Sequence, residues 1–463
     1  MLFNSLEFAI FLPLTLAIYY LGIPESRWRA RKIFLVVASY LFYMSWNPFF
    51  GLLLLGSTLI DFTMGLLLEG ATGLWRRRAL LVVSLAFNLG MLGYFKYGNF
   101  FAANLYRLLG HAEPPLWDIV LPIGISFYTF ESLSYTINVY RGERASRSLL
   151  DFALFLSFFP HLVAGPIVRP RAFLPQLVER PTVVGPEIER ALVRIAQGFL
   201  KKVLLADVLG QYVDAVWTDM AYYPSANVLL AFYAYAFQIY FDFSGYTDIA
   251  LGVSQLFGLK LPENFDRPYL SQSPREFWQR WHISLSTWLR DYLYVSLGGN
   301  RVSSARTYVN LLLTMMLGGL WHGAAWTFVA WGTYHGLLLA IHRVVSRRRP
   351  AQARSPLGAA LATLGTFHLV VLGWVLFRAP SMLAGLVALL RLATPGYAMT
   401  RAASEAAIIV VVAILLHCGP GASRFRERFV RLSPVLQGTL YATATIVAFF
   451  IAPASERFIY FQF

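Results

Sequence analysis

The stretch LLLTMMLGGLWHGAAWTFVAWGTYHGLLLA, residues 311–340, sets one histidine, His322, between two apolar runs and flanks it with Gly318, Gly319 and Gly323. The runs, 306–320 and 323–345, approach the roughly 20 apolar residues that a membrane-crossing helix needs. They read as two helices joined by a break at the glycines. An ionisable side chain at that depth is costly and marks a candidate functional site. The rest of the chain has the same character. Of 463 residues, 57% are hydrophobic and 14% charged, against about 25% charged in a soluble domain whose surface must face water. A shortfall spread along the whole length means that much of the surface faces lipid. The length would allow two or three soluble domains, but no polar stretch is long enough to make one. The expectation is a single membrane-embedded domain, 1–463.

Working outward, further apolar runs lie at 5–23, 33–46, 49–69, 79–95, 117–138, 191–216, 226–258, 357–378, 404–418 and 436–453. The fold class is therefore all-α and polytopic, with roughly 11 spanning helices. The run 226–258 is long enough to be bent or doubled. The first run, in MLFNSLEFAIFLPLTLAIYYLG, lacks a basic start and a small-residue cleavage site, so it reads as a retained helix. The net charge is +15, from 39 Lys+Arg against 24 Asp+Glu. The cations come in short clusters between apolar runs, as the positive-inside rule describes, which argues against nucleic acid as a partner. Arg27, Arg29, Arg31 and Lys32 form the first cluster, Arg76–Arg78 the second, and Arg141, Arg144 and Arg147 the third. Arg347–Arg349 and Arg424, Arg426, Arg428 and Arg431 follow. A tight hairpin at Asn47–Pro48 lets two crossings separate the first two clusters, and the scheme puts all clusters on one, cytoplasmic, face with both termini outside.

Two stretches fit neither lipid nor an ordinary loop. Residues 259–305 are too charged to span and too aromatic for a loop; Trp278, Trp281 and Trp288 with Arg280 and Arg290 suggest interfacial helices or a re-entrant segment packed inside protein. Residues 150–176, broken by Pro160, Gly165 and Pro166, look alike.

The candidates for chemistry follow from cost at depth. His322, with an ordinary pKa of ~6.5, can take a proton from a hydroxyl as its oxygen attacks an acyl carbonyl; on isolation alone a hydrogen-bonded core histidine is an equal reading. His282, in RWHISLSTW, is the second candidate, beside Arg280, which could hold a carboxylate or phosphate; an interfacial histidine is the slightly favoured reading there. For His335, His342, His368 and His417 packing or an interfacial place is preferred. The run QIYFDFSGYTDIALG carries Gln238, Asp242, Ser244, Tyr246 and Asp248. Its two carboxylates could orient a histidine, or pair with Arg280 or Arg290 and hold the core, the preferred role; Glu131 is ambiguous in the same way. Cys418 is the single cysteine, which excludes an intrachain disulfide and a thiolate metal cluster. No Walker A, HExxH or Gly-x-Ser-x-Gly pattern occurs, so ATP-driven transport and a serine-hydrolase domain are unsupported. A polysaccharide exporter or lipid flippase is the competing class; no repeated halves of a transporter are visible.

The blocks LPIGISFYTFESLSYTINVYRG, FFPHLVAGPIVRP, QIYFDFSGYTDIALG, ENFDRPYLSQSPREFWQRWHISLSTWLRDYLYVSLGGNR and GGLWHGAAWTFVAWGTYHG resemble the membrane-bound O-acyltransferase superfamily. Within it the match is to the bacterial alginate O-acetyltransferase branch, from MLFNSLEFAIFLPL to FIYFQF. The resemblance implies a helical bundle with re-entrant helices around a central tunnel, and a catalytic core of about 117–346. His322 matches the family's near-invariant histidine, and His282 the place of a second polar catalytic residue. Trp321, Trp278, Arg280, Gln238, Asp242, Ser244, Tyr246 and Asp248 would line or support the tunnel. It implies no bound cofactor or metal, an acetyl thioester such as acetyl-CoA as donor, and an exported polysaccharide as acceptor. A periplasmic or membrane-anchored acetyltransferase would be the partner, and the bacterial inner membrane the location. Cellulose, peptidoglycan and, for D-alanyl transfer, teichoic acid are the alternative acceptors.

Overall fold

The computed structural model describes residues 1–111, 114, 116–348, 355–451 and 458. Arg349, the last two residues of the run 436–453 and all of FIYFQF but Phe458 lie outside them. Every regular element among the described residues is helical, and no strand occurs among them. Among the described residues four helices are long and apolar enough to cross a membrane: Pro48–Gly70, Leu74–Leu108, Pro356–Arg378 and Arg401–Cys418. At 1.5 Å per residue a 23-residue helix reaches about 35 Å, against about 30 Å of hydrocarbon.

The chain forms two compact units, Met1–Ala191 with Ala250–Pro262, and Leu192–Ile249 with the chain from Glu263 onward. In the first, the Asn47 side chain accepts from the Phe49 N–H, and Pro48 opens the next helix. This cap makes the expected hairpin between Trp28–Met44 and Pro48–Gly70. Pro48–Gly70 is built inside out. Leu52, Leu55, Leu59 and Leu67 point outward, whereas Ser57, Thr58 and Asp61 are buried. A helix packed in water would do the opposite; with lipid outside, polar groups must find partners inside. Asp61 accepts from the hydroxyls of Ser84, Ser132 and Thr136 and from Asn88 Nδ2 at 2.7 Å.

Three of the basic clusters gather at one end of this unit. Arg77 donates to the Tyr140 carbonyl at 2.6 Å, Arg147 pairs with Glu69 at 2.9 Å, and Lys32 pairs with Asp151. Arg77 and Arg147 sit where helices Pro48–Gly70 and Ile125–Tyr140 end and carbonyls lack partners. The expected helix over 117–138 begins only at Ile125. Pro122 cannot donate and Gly124 turns left-handed, with φ +78°, so the helix cannot start earlier.

The second unit contains the greater part of Ser225–Leu256, an unbroken helix of 32 residues rather than the doubled one that was one of two expectations for the run 226–258. It also contains Pro274–Arg280, Ile283–Trp288, Ser304–His322, Trp326–Arg348, Pro356–Arg378 and the unanticipated Met382–Arg391. Its core is aromatic: Trp281, Trp331 and Trp374 are all about fully buried, with Trp374 4.8 Å from Trp281 and 5.7 Å from Trp331. The segment around Trp281 is thus packed inside protein.

Candidate active site

His322 is the last residue of Ser304–His322, and the chain turns at Gly323 into Trp326–Arg348. The two helices meet backbone to backbone. A Cβ on Gly332 would lie 3.1 Å from Gly319 Cα and would strike the Met315 carbonyl, so only glycine permits this approach. The turn leaves His322 4% exposed, ringed by Trp321, Trp331 and Phe377 at 5.0, 5.1 and 5.3 Å between centroids.

His282 enters between two short helices, where Trp281 ends Pro274–Arg280 and Ile283 begins the next. Its backbone is left-handed, with φ 41° and ψ 56°. That conformation costs a non-glycine residue roughly 1–3 kcal/mol and is held only where the surroundings over-determine it. Here Asn264 does so. Its carbonyl accepts from the Ile283 N–H at 3.0 Å, and its Oδ1 accepts from Ser284 N–H and Oγ at 3.1 and 2.9 Å. His282 Nδ1 lies 3.2 Å from the same Oδ1. An amide oxygen only accepts, so Nδ1 carries the proton and the neutral ring keeps its lone pair on Nε2. The ring stands 4.7 Å from Phe243, 6.0 Å from Trp321 and 6.4 Å from His322.

His282 lies outside the spanning helices, and its complete burial pushes the imidazole down to about 3. The unfolded chain protonates it near pH ~6.5. Between those values the unfolded state binds the extra proton, so stability is intact above ~6.5 and is lost as pH falls toward 3. His282→Asn keeps an amide donor toward Asn264 and tolerates the left-handed backbone. It should flatten the fall of melting temperature between pH 6 and 4 in detergent; an unchanged slope would mean that His282 is not a source of the acid sensitivity.

The residues singled out in the sequence divide. His282, His322 and Trp321 come together, and Trp278 stands one ring away, 5.7 Å from Trp331. Gln238, Ser244 and Tyr246 are buried on the long helix; Ser244 Oγ and Gln238 Oε1 have no hydrogen-bond partner among the described residues. The two carboxylates do not pair with Arg280 or Arg290, which bond Glu276 and Asp291 at 2.7 Å each. Asp248 pairs with Arg194 at 2.9 Å and Lys201 at 2.6 Å; Asp242 pairs with Lys202 at 2.7 Å, which also holds Asp207. These cations are 40–54 residues from Asp242 and Asp248, and no short-range pattern points to them. Asn264, Phe243, Trp331 and Phe377 are contributors that sequence reasoning did not single out. His335, buried against Phe277, Trp278 and Trp331, has no hydrogen-bond partner on either ring nitrogen among the described residues. Among those residues no three of His, Cys, Asp or Glu lie close enough to hold a metal ion.

Two buried imidazoles, one fixed as a neutral acceptor, suit proton transfer to and from a hydroxyl. The chain is 46% identical over 389 residues to "Probable alginate O-acetylase AlgI" of Pseudomonas aeruginosa, covering 82% of this chain and 73% of that one. It is 36% identical to the peptidoglycan O-acetyltransferase of Helicobacter pylori, over 76% of this chain and 71% of that one. The teichoic acid D-alanyltransferase of Bacillus subtilis is 30% identical, over 60% and 74%. The family model for membrane-bound O-acyltransferases matches residues 79–369, more than half the chain and inclusive of both histidines. The chain belongs to the membrane-bound O-acyltransferase family and is an O-acyltransferase.

Proposed function

We propose that this enzyme moves an acetyl group from a cytoplasmic thioester, acetyl-CoA or a relative of it, to hydroxyls of an exported polysaccharide such as alginate. The observation that carries the reading is the pair of buried imidazoles 6.4 Å apart; the similarity to the alginate O-acetylase supports the acceptor class. His322 is the base. It takes the hydroxyl proton while the oxygen's electron pair forms the new C–O bond; the thiolate leaves and recovers the proton. His282, neutral and oriented through Asn264, offers its Nε2 to the same groups. Trp321 and Trp278 wall the passage, Gln238, Ser244 and Tyr246 give it polar lining, and Asp242 and Asp248 support it by holding Lys202, Lys201 and Arg194. Arg280, bonded to Glu276, borders it.

The reading includes roughly 11 spanning helices around a tunnel, one domain over 1–463 with its catalytic core at about 117–346, and a multi-pass place in the bacterial inner membrane. The cytoplasmic face is the one with the basic clusters. A periplasmic or membrane-anchored acetyltransferase completes the transfer. The test is polymer-bound O-acetyl in cells that export alginate but lack their own acetylase. Expression of this chain should restore the ester, and label supplied as acetyl-CoA to inside-out vesicles should enter the polymer. Export without ester would overturn the reading.

A further inference from the structure

One pair of buried ionisable groups is left over by the His282–His322 site. Glu131, on helix Ile125–Tyr140, is 1% exposed and His161, in the turn Phe159–Leu162, is 0% exposed. Both belong to the first unit. Glu131 Oε1 accepts from the Val168 N–H at 2.8 Å and lies 2.9 Å from His161 Nδ1. Phe158 and Phe173 flank the imidazole at 5.8 and 5.6 Å. Gly165 lets the broken chain fold back onto it, since a Cβ there would lie 2.7 Å from His161 Cβ.

The dyad is satisfied on the two atoms that face each other only. Glu131 Oε2 and His161 Nε2 have no hydrogen-bond partner among the described residues, and leaving a buried polar atom in that state is unfavourable. With the carboxylate ionised, Nδ1–H donates to Oε1 and Nε2 holds a lone pair. Both outward atoms are then acceptors, and the complementary group is a hydrogen-bond donor. Pinning the break between Val163 and Val168 requires Oε1 and Nδ1 alone, so the outward atoms are surplus to a structural role. A carboxylate behind an imidazole also steadies the cation that forms when Nε2 takes a proton, as in hydrolase triads.

We propose that His161 and Glu131 form a second acid–base centre, binding through His161 Nε2 a substrate hydroxyl distinct from the one His322 deprotonates and accepting its proton. The O–H bond breaks, the N–H bond forms at Nε2, the electron pair stays on oxygen, and the imidazolium rests against the Glu131 carboxylate. The inference builds on the acyl-transfer reading, and its test keeps the two apart. In His161→Asn the amide nitrogen takes the place of Nδ1, preserving the bond to Glu131, while the outward nitrogen is lost. Polymer-bound acetyl should fall roughly 100-fold, within the range of a lost general base, at an unchanged melting temperature. Wild-type acetylation by His161→Asn beside an inactive His322→Ala would reduce the dyad to a helix clamp with a structural water only, and would leave acyl transfer standing. Wild-type acetylation by both variants would sink both ideas. Should His161→Asn melt early, Glu131→Gln decides: it keeps an acceptor for Val168 and should still cost at least 10-fold, whereas full activity would overturn the proposal.

Discussion

His322→Ala should abolish polymer acetylation while the protein still inserts and melts near the wild-type temperature. The effect expected from removing a general base is roughly 10²–10⁴-fold. The imidazole is ringed by Trp321, Trp331 and Phe377, so alanine also leaves a hole. His322→Gln, which fills much of that volume without supplying a base, separates the two causes. If chemistry depends on the imidazole, both variants lose activity alike. If glutamine restores turnover, the residue shapes the cage and the base lies elsewhere, with His282 first in line. Membrane levels need matching, because the hairpin that carries His322 is held by the close approach of Gly319 and Gly332.

The second large effect concerns Asp248. Its carboxylate is the shared counter-charge of Arg194 and Lys201, and Arg426 approaches to 3.9 Å. Arg194 has a further partner in Glu263, but Lys201 has no other ion pair among the described residues. Asp248→Ala would leave cations buried without compensation, which costs roughly 3–5 kcal/mol, a large part of a typical folding stability. The expected result is little monodisperse protein after detergent extraction, with Asp248→Asn intermediate because the amide oxygen can still accept. Wild-type yield and melting temperature for Asp248→Ala would mean that the cluster is well hydrated.

Much of this architecture can be read from residue order alone. Long apolar runs convert directly into helices, because lipid forces every backbone group to bond within its own segment. Boundaries are less legible where one residue overrides composition. Gly124 and Pro122 delay a helix that the apolar residues from 117 onward invite, and Met382–Arg391 is too short to register as a crossing. His282 and His322 stood out because a histidine among apolar residues is expensive. His161 sits in a quoted block but directly behind two phenylalanines and a proline, and only the fold brings Glu131 to it across 30 residues. Ion-pair partners escape the sequence for the same reason: Arg280 and Arg290 lie 32–48 residues from the two carboxylates and Lys202, Lys201 and Arg194 lie 40–54 away, so separation does not choose between them and only the fold does.

The glycine-to-glycine approach beneath His322 also bears on how the enzyme is made. Gly319 and Gly332 are 13 residues apart, and Asn264 reaches His282 across 18. Short loops close at little entropic cost, and local pairings form early. Each half of the site is therefore a piece that can mature as it leaves the ribosome. Joining them spans 40 residues between the two histidines and 55 from His322 to Phe377, and belongs to a later, slower step. Substitutions in the part of Pro356–Arg378 away from Phe377 should for this reason yield inserted but unassembled enzyme, a target for membrane proteases rather than a weak catalyst.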